Sequence, residues 1–138
     1  MKRWPCVWAA VFVIGSSMST QVFALPLLKC HFEVNAERLE KTFTPTTDPY
    51  AVSSVNLEDR FRFKAVVLMA DETRVASVNL YVSYQTRRQP MVIQHISYVA
   101  PQALSQPSPD ALTGRVAVYS PFLGKELLYG CALHEVAP

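Results

Sequence analysis

Glycine is scarce in this chain of 138 residues, which contains only four glycines. None of them builds a glycine-rich loop that could cradle a phosphate, and no G-x-S-x-G sequence presents a serine nucleophile. The three histidines, His31, His95 and His134, lack the close spacing of metal ligands. The sequence therefore contains no recognisable catalytic motif, and we expect neither a metal nor another cofactor.

Long apolar runs are also missing beyond the amino terminus. Residues 1–3 are a basic start, residues 4–15 are apolar, and residues 16–24 are small or polar and end in Val-Phe-Ala. The apolar stretch is shorter than the roughly 20 residues of a transmembrane helix but matches the core of a secretory signal peptide. We predict a signal peptide over residues 1–24, cleaved after Ala24, and a mature chain over residues 25–138 that does not span a membrane.

The predicted mature chain has no net charge. The full sequence has 13 basic and 11 acidic residues, and two of the basic ones, Lys2 and Arg3, belong to the predicted signal peptide. Eleven residues of each sign therefore remain. Such a balance gives no support to a nucleic acid or an anionic membrane surface as the partner. The slight basicity of the whole sequence belongs to its targeting segment.

Cysteine is rare, with three in the whole sequence, and Cys6 would leave with the signal peptide. The remaining pair, Cys30 and Cys131, is expected to oxidise in a periplasmic or secreted protein. A disulfide between them would close about 100 residues and restrict the unfolded chain by roughly 4 to 5 kcal/mol in the entropic model. The alternative, two thiolate metal ligands with His31 and His134, lacks a close-spaced ligand pair.

Helical periodicity is scarce, and short runs of alternating apolar and polar residues dominate instead. Cys30 and Cys131 fall on the apolar sides of the first and last runs, so the disulfide should lie in the core. A short helix at residues 35–41, capped by Asn35, competes with a turn or a strand extension. We predict one mainly β domain, a small antiparallel sandwich or open barrel of about six or seven strands. The predicted strands cover residues 29–35, 60–69, 73–84, 91–98, 115–120 and 126–134, of which the second, third and fourth form a meander.

Two long segments rich in turn-forming residues, 44–59 and 100–114, interrupt these strands. Loops of this length in small domains are often functional or mobile, although they can also be simple connections. Both interpretations stay open for each segment.

Two arginines give the clearest surface feature. Arg87 and Arg88 lie between the predicted third and fourth strands, where a hairpin tip would project them into solvent. Arginine there could bind a carboxylate or a phosphate through paired hydrogen bonds, or it could simply keep the tip soluble. Three tyrosines, Tyr81, Tyr98 and Tyr119, are candidate aromatic contacts, because tyrosine combines an apolar ring with a polar end.

The function that best fits these features is that of an exported, non-enzymatic protein-binding domain. An inhibitor, an immunity factor or an accessory of a bacterial envelope complex would each fit, with an envelope or periplasmic protein as the partner. The alternative is a structural or assembly subunit that docks through an edge strand. A small envelope hydrolase is a third possibility. The identity of the partner and the oligomeric state are open at this level.

Overall fold

The computed structural model describes residues 19–20, 24–121 and 124–136, and every regular element in this part of the chain is a β-strand. The strands form two antiparallel sheets of four, in the orders β2-β1-β8-β7 and β3-β4-β5-β6, which pack as a small sandwich. The predicted all-β fold is confirmed. The predicted signal peptide falls almost entirely outside the described residues. The strands are β1 (Leu25–Val34), β2 (Glu37–Phe43), β3 (Val55–Leu57), β4 (Phe61–Met69), β5 (Val75–Gln85), β6 (Pro90–Val99), β7 (Val116–Tyr119) and β8 (Glu126–Val136).

Residues 35–41 form a turn and a strand. Asn35 and Ala36 both have positive φ angles, 52° and 65°, and they connect β1 to β2 as a two-residue hairpin turn in which Val34 pairs with Glu37. Hairpin turns of this kind match the twist of the flanking strands. The structure thus selects the turn and strand over the helix at these positions. Within the described residues, no helix is long and apolar enough to cross a membrane.

The predicted meander is the main body of the second sheet. β4 pairs with β5, and β5 with β6, each in antiparallel register, for example Phe63 with Val82 and Leu80 with Ile96. The inward-facing residues of β4 and β5 are buried, because alternate side chains of a strand point to the same face. β3 adds three residues beside β4. This short strand lies within residues 44–59, for which the sequence predicts a loop.

The disulfide joins the two central strands of the first sheet. Cys30 on β1 lies directly opposite Cys131 on β8, with their Cα atoms 4.1 Å apart, and both residues are fully buried. The Cys131 N–H donates to the Thr113 hydroxyl at 2.9 Å, so this main-chain group faces the 100–114 segment and not β1. Cys30 and Cys131 are therefore an opposed pair that exchanges no main-chain hydrogen bonds. In antiparallel sheets, such pairs bring cross-strand side chains closest together.

Aromatic rings fill the space between the sheets. Phe32 of the first sheet meets Phe63 of the second edge to face, with ring centroids 4.7 Å apart, and Phe63 meets Tyr129 at 5.2 Å. The Tyr129 hydroxyl donates a 2.6 Å hydrogen bond to the side-chain carbonyl of Gln94 on β6. Burial, together with the nearby Tyr98 hydroxyl, raises the pKa of Tyr129 well above its ordinary value. The core therefore joins the two sheets through ring contacts and one polar bond.

The 100–114 segment lies along the exposed side of β8. Leu104 N–H donates to the Leu133 carbonyl at 3.0 Å, Glu135 N–H donates to the Leu104 carbonyl at 2.9 Å, and Leu112 N–H donates to the Cys131 carbonyl at 3.0 Å. β7 covers the beginning of β8, and this segment covers the rest. The segment therefore has a structural task, which is to satisfy the outer main-chain groups of β8.

Candidate functional site

The outer side of the second sheet, which points away from the core between the sheets, forms one surface, which we call the β4–β6 face. Its residues lie in four rows that cross the three strands, as the register of the two pairings requires. From the hairpin tip outward the rows are Arg62, Ser83 and Val92; Lys64, Tyr81 and His95; Val66, Asn79 and Ser97; and Leu68, Ser77 and Val99.

This face carries positive charge and no negative charge. Arg62 and Lys64 are its cations, and none of its residues is an aspartate or a glutamate. Glu58 and Asp59 lie in the turn between β3 and β4, outside this face, and the Asp59 carboxylate accepts a 2.6 Å hydrogen bond from the Asn56 side chain. Within the described residues, the acidic side chains therefore lie outside the β4–β6 face.

The hairpin tip between β5 and β6 is held by a single threonine. The Thr86 hydroxyl donates to the Gln89 carbonyl at 2.6 Å and accepts the N–H groups of Arg88 and Gln89 at 3.3 and 3.2 Å. Such a turn fixes the backbone from which Arg87 and Arg88 project, and both arginines are exposed. The structure places this predicted pair at a tip, as the sequence suggested.

Arg62 lies close to the same tip. Its Nε donates to the Gln85 side-chain carbonyl at 2.7 Å, and the Gln85 amide nitrogen donates to the Thr86 carbonyl at 2.9 Å. This chain of hydrogen bonds ties the Arg62 side chain to Thr86 of the hairpin tip. Three arginines therefore belong to one end of the β4–β6 face.

The candidate tyrosines are on three different surfaces. Tyr81 lies in the centre of the β4–β6 face and stacks on His95, with ring centroids 4.3 Å apart and planes inclined by 3°. Tyr98 faces the other way and is half-buried against the core, and burial raises its pKa. Tyr119 is 61% exposed on β7, in the other sheet. Only Tyr81 adjoins the basic end described above.

A second candidate surface is a groove of about 540 Å³ on the outside of the first sheet. Two of its arginines, Arg38 and Arg115, approach the same carboxylate oxygen of Glu33 at 3.7 and 3.9 Å. Their charge is partly balanced within the groove, which also contains Glu40 and His31. The groove therefore offers less free positive charge than the hairpin tip does.

The three histidines do not come together in the described part of the chain. His31 and His134 line one small groove with Glu40, whereas His95 lies on the other sheet. Burial, and the nearby Lys29, lower the pKa of His134. Over the described residues, no group of three histidine, cysteine, aspartate or glutamate side chains could hold a metal ion.

One groove does bring a glutamate and a hydroxyl residue together, as a hydrolase would require. Glu135 and Thr73 both line a groove at the end of the sandwich away from the arginine tip. However, the Thr73 hydroxyl donates to the Asp71 carboxylate at 3.1 Å, which belongs to a local turn. This threonine is engaged in turn structure and is not held by a base as a nucleophile would be.

Sequence reasoning identified Arg87 and Arg88 but did not add Arg62 and Lys64 to the same surface. The signal was present, because these two cations alternate with Phe61 and Phe63 and must point away from the core. What was missing was the register, which places Lys64 beside Tyr81 and His95. Comparisons with protein-family models, with curated proteins and with solved structures found no match to the chain.

Proposed function

We propose that the chain is an exported, non-enzymatic protein-binding domain that holds an acidic surface of its partner against the arginine end of the β4–β6 face. The observation that carries this proposal is the separation of charge on this face: β4 contains Arg62 and Lys64, and none of β4, β5 and β6 contains an acidic residue. Arg87 and Arg88 lie in the adjoining hairpin tip. A face of one sign attracts and orients a partner of the opposite sign.

The chemistry of the tip supports a carboxylate-bearing partner. Guanidinium groups bind carboxylates through two parallel hydrogen bonds, and a fixed turn lowers the entropy lost on docking. Thr86 supplies that turn, and the Arg62–Gln85 hydrogen bond holds a third guanidinium nearby. The stacked Tyr81 and His95 add a flat aromatic area next to Lys64. Aromatic residues and arginines are the types that most often carry binding energy.

The proposal also includes export of the chain from the cytosol. The disulfide between Cys30 and Cys131 is of the kind that persists in oxidising compartments, and residues 1–24 have the pattern of a signal peptide. The partner would then be an envelope or periplasmic protein. An inhibitor, an immunity factor and an envelope accessory share the property that the proposal needs, which is a rigid domain with one charged docking face.

The experiment is an affinity capture from envelope extract with the oxidised protein, compared with two double variants. Arg87→Ala/Arg88→Ala removes the tip cations. Arg38→Ala/Arg115→Ala removes two exposed arginines from the other sheet and is the matched control. We expect one specific partner to be lost with the tip variant and kept with the control, and its capture to weaken as salt rises.

Two results would contradict the proposal. If the tip variant captures every partner that the unmodified chain captures, Arg87 and Arg88 are not part of the site. If both double variants lose the partner equally, only general charge matters and the β4–β6 face is not specific.

A second candidate function, a structural or assembly subunit that docks through an edge strand, is favoured by one observation. β6 forms an edge of the second sheet along its whole length.

A further inference from the structure

Among the described residues, β6 is the least protected sheet edge of the molecule. The other edges carry recognisable protection. β2 is rich in charged side chains, β3 is very short and is supplemented by Thr46 beside β4, and β7 is short and is extended by the 100–114 segment beside β8. Natural proteins use these devices to prevent strands from adding to an edge.

β6 has few of these devices. It has ten residues, and no lysine, arginine, aspartate or glutamate occurs from Gln89 to Pro109. Val92 is 60% exposed and Val99 is 82% exposed. A long, uncharged edge with exposed valines is a template for another strand.

The main-chain groups that would accept such a strand can be identified. Ala100 N–H donates to the Ala76 carbonyl at 2.8 Å, toward β5. In an antiparallel ladder, the direction of the main-chain groups alternates from one residue to the next. His95, Ser97 and Val99 therefore direct their N–H and C=O groups away from β5, at the open edge.

The regular part of this edge has natural limits. On one side the register between β5 and β6 shifts at Ile93, which is an extra residue in β6. On the other side Pro101 has no N–H to donate. The stretch that can pair regularly is Gln94–Ala100, and its central residue is Ser97.

We propose that β6 pairs with β6 of a second copy of this chain, antiparallel, about a two-fold axis that passes beside Ser97. Ser97 then lies opposite Ser97 of the second copy, His95 opposite Val99, and Ile96 opposite Tyr98. Each residue of the regular stretch finds a partner within the same stretch, which is the self-complementarity that a two-fold interface requires.

The charges and the exposed side chains fit a second copy. Because the edge carries no formal charge, two copies meet without repulsion between like charges. Antiparallel pairing sends the two Arg87–Arg88 tips to opposite ends of the joined sheet. Val99, now largely exposed, would pack beside His95 of the second copy. The two second sheets then form one continuous sheet of eight strands. Both arginine tips lie at the edge of the same face of this sheet, one at each end. This pairing specifies the strand and the occupant for the second candidate function, docking through an edge strand, and it does not depend on capture of a partner through Arg87 and Arg88.

The first test is the mass of the oxidised chain from Leu25 to Pro138, which contains both sheets, measured by sedimentation equilibrium over a range of concentrations. We expect twice the mass of one chain at the upper end of the range. Ser97→Pro removes the Ser97 N–H, which points away from β5 and is not part of the ladder with β5. Proline is tolerated at such edge positions. We expect this variant to be a monomer, whereas Ser97→Ala, which keeps the N–H, stays a dimer.

The second test locates the two-fold axis. In the proposed pairing the two Ser97 Cα atoms are about 5.5 Å apart. The two Val99 Cα atoms are four positions apart along the strands, or about 14 Å. A short thiol cross-linker should therefore join Ser97→Cys chains efficiently and Val99→Cys chains poorly. If both variants cross-link equally well, the axis is not at Ser97 and the proposed register is wrong.

Two further outcomes separate this inference from the proposed function. A chain that is monomeric at every concentration, or a Ser97→Pro variant that is folded by circular dichroism and still dimeric, overturns the β6 pairing. Neither result affects capture of a partner through Arg87 and Arg88. Conversely, a dimer with the Ser97 cross-link stands even if the arginine variants capture every partner unchanged.

Discussion

Tyr129 of β8 and Gln94 of β6 are joined across the sandwich by a 2.6 Å hydrogen bond between the phenol hydroxyl and the side-chain carbonyl. This bond connects the strand that holds Cys131 to the strand that forms the open edge. Through this bond, the buried Tyr129 side chain of the first sheet contacts β6, the edge strand of the second sheet. The position of β6 therefore depends on the core as well as on its ladder with β5.

Replacement of Tyr129 by phenylalanine tests the value of this bond. Tyr129→Phe keeps the ring contact with Phe63 and removes only the hydroxyl, so we expect the free energy of unfolding to fall by about 1 kcal/mol. Urea denaturation at neutral pH measures the change. Tyr119→Phe is the control, because the exposed Tyr119 hydroxyl makes a longer contact of 3.4 Å with Glu126. Equal losses in the two variants would show that the cross-sheet bond has no particular value.

Removal of the disulfide should have a larger effect. The double variant Cys30→Ala/Cys131→Ala opens a closed loop with a sequence separation of 101, and we expect a loss of about 4 kcal/mol in the free energy of unfolding. Denaturation with and without reductant gives the comparison. Reductant should destabilise the unmodified chain and leave the double variant unchanged. A double variant as stable as the oxidised chain would contradict this expectation.

Gly130 is expected to tolerate no side chain. A methyl group added at this position would lie 2.7 Å from His31 Cε1 and 2.8 Å from Asp110 Cβ, which is closer than carbon atoms approach one another. We expect Gly130→Ala to lower the free energy of unfolding by about 1 to 3 kcal/mol, since the His31 ring or the 100–114 segment must move. Amide exchange should then become faster at Leu104 and Leu112. The variant His31→Ala/Gly130→Ala should recover part of the loss, and an unchanged loss would locate the clash at Asp110.

Asp71 should make stability depend on acid. Its carboxylate accepts hydrogen bonds from the N–H groups of Thr73 and Arg74 and from the Arg74 side chain, and these contacts hold its pKa well below the ordinary value. A lowered pKa in the folded state stabilises the protein above the unfolded pKa of about 4, and this stabilisation disappears as the pH falls through the folded value.

Asp71→Asn should therefore be less stable than the unmodified chain at pH 7, and the two should converge in strong acid. Because Asp71 is exposed, the difference at neutral pH should be smaller than that caused by loss of the disulfide. Glu72→Gln, which alters the neighbouring carboxyl in the same turn, is the matched control. A difference that is independent of pH would contradict the expected role of the Asp71 charge.

Much of this architecture can be inferred from alternation alone. The strands that bury every second residue, such as β1 and β5, produce a pattern that is readable without coordinates. β2 was harder to predict, because all of its residues except Phe43 are exposed and it therefore lacks an alternation of buried and exposed positions. Its composition also favours a helix. Its identity is decided by Asn35 and Ala36, which adopt the left-handed turn that returns the chain alongside β1.

Only part of the candidate site could be predicted from the sequence, and the reason differs from that for β2. A hairpin tip is local, so Arg87 and Arg88 could be placed from the residues around them. The neighbours of the tip depend on which residues of β4 and β5 face one another, and a shift of one residue would move Lys64 to the opposite face of the sheet. The same applies to the 100–114 segment, whose bonds to β8 leave no periodic signal in the sequence.

The pairing of β1 with β8 has a consequence for how the molecule forms during synthesis. β1 lies between β2 and β8, and its two neighbours become available at very different times, since Cys131 of β8 is made 101 residues after Cys30 of β1. Until then β1 can form only the hairpin with β2, while the β4–β6 meander can already assemble from neighbouring segments. The first sheet cannot be completed until β8 has been made, and contacts so distant in sequence slow folding. The nascent chain would therefore expose one unpaired side of β1 throughout the synthesis of the residues between β1 and β8.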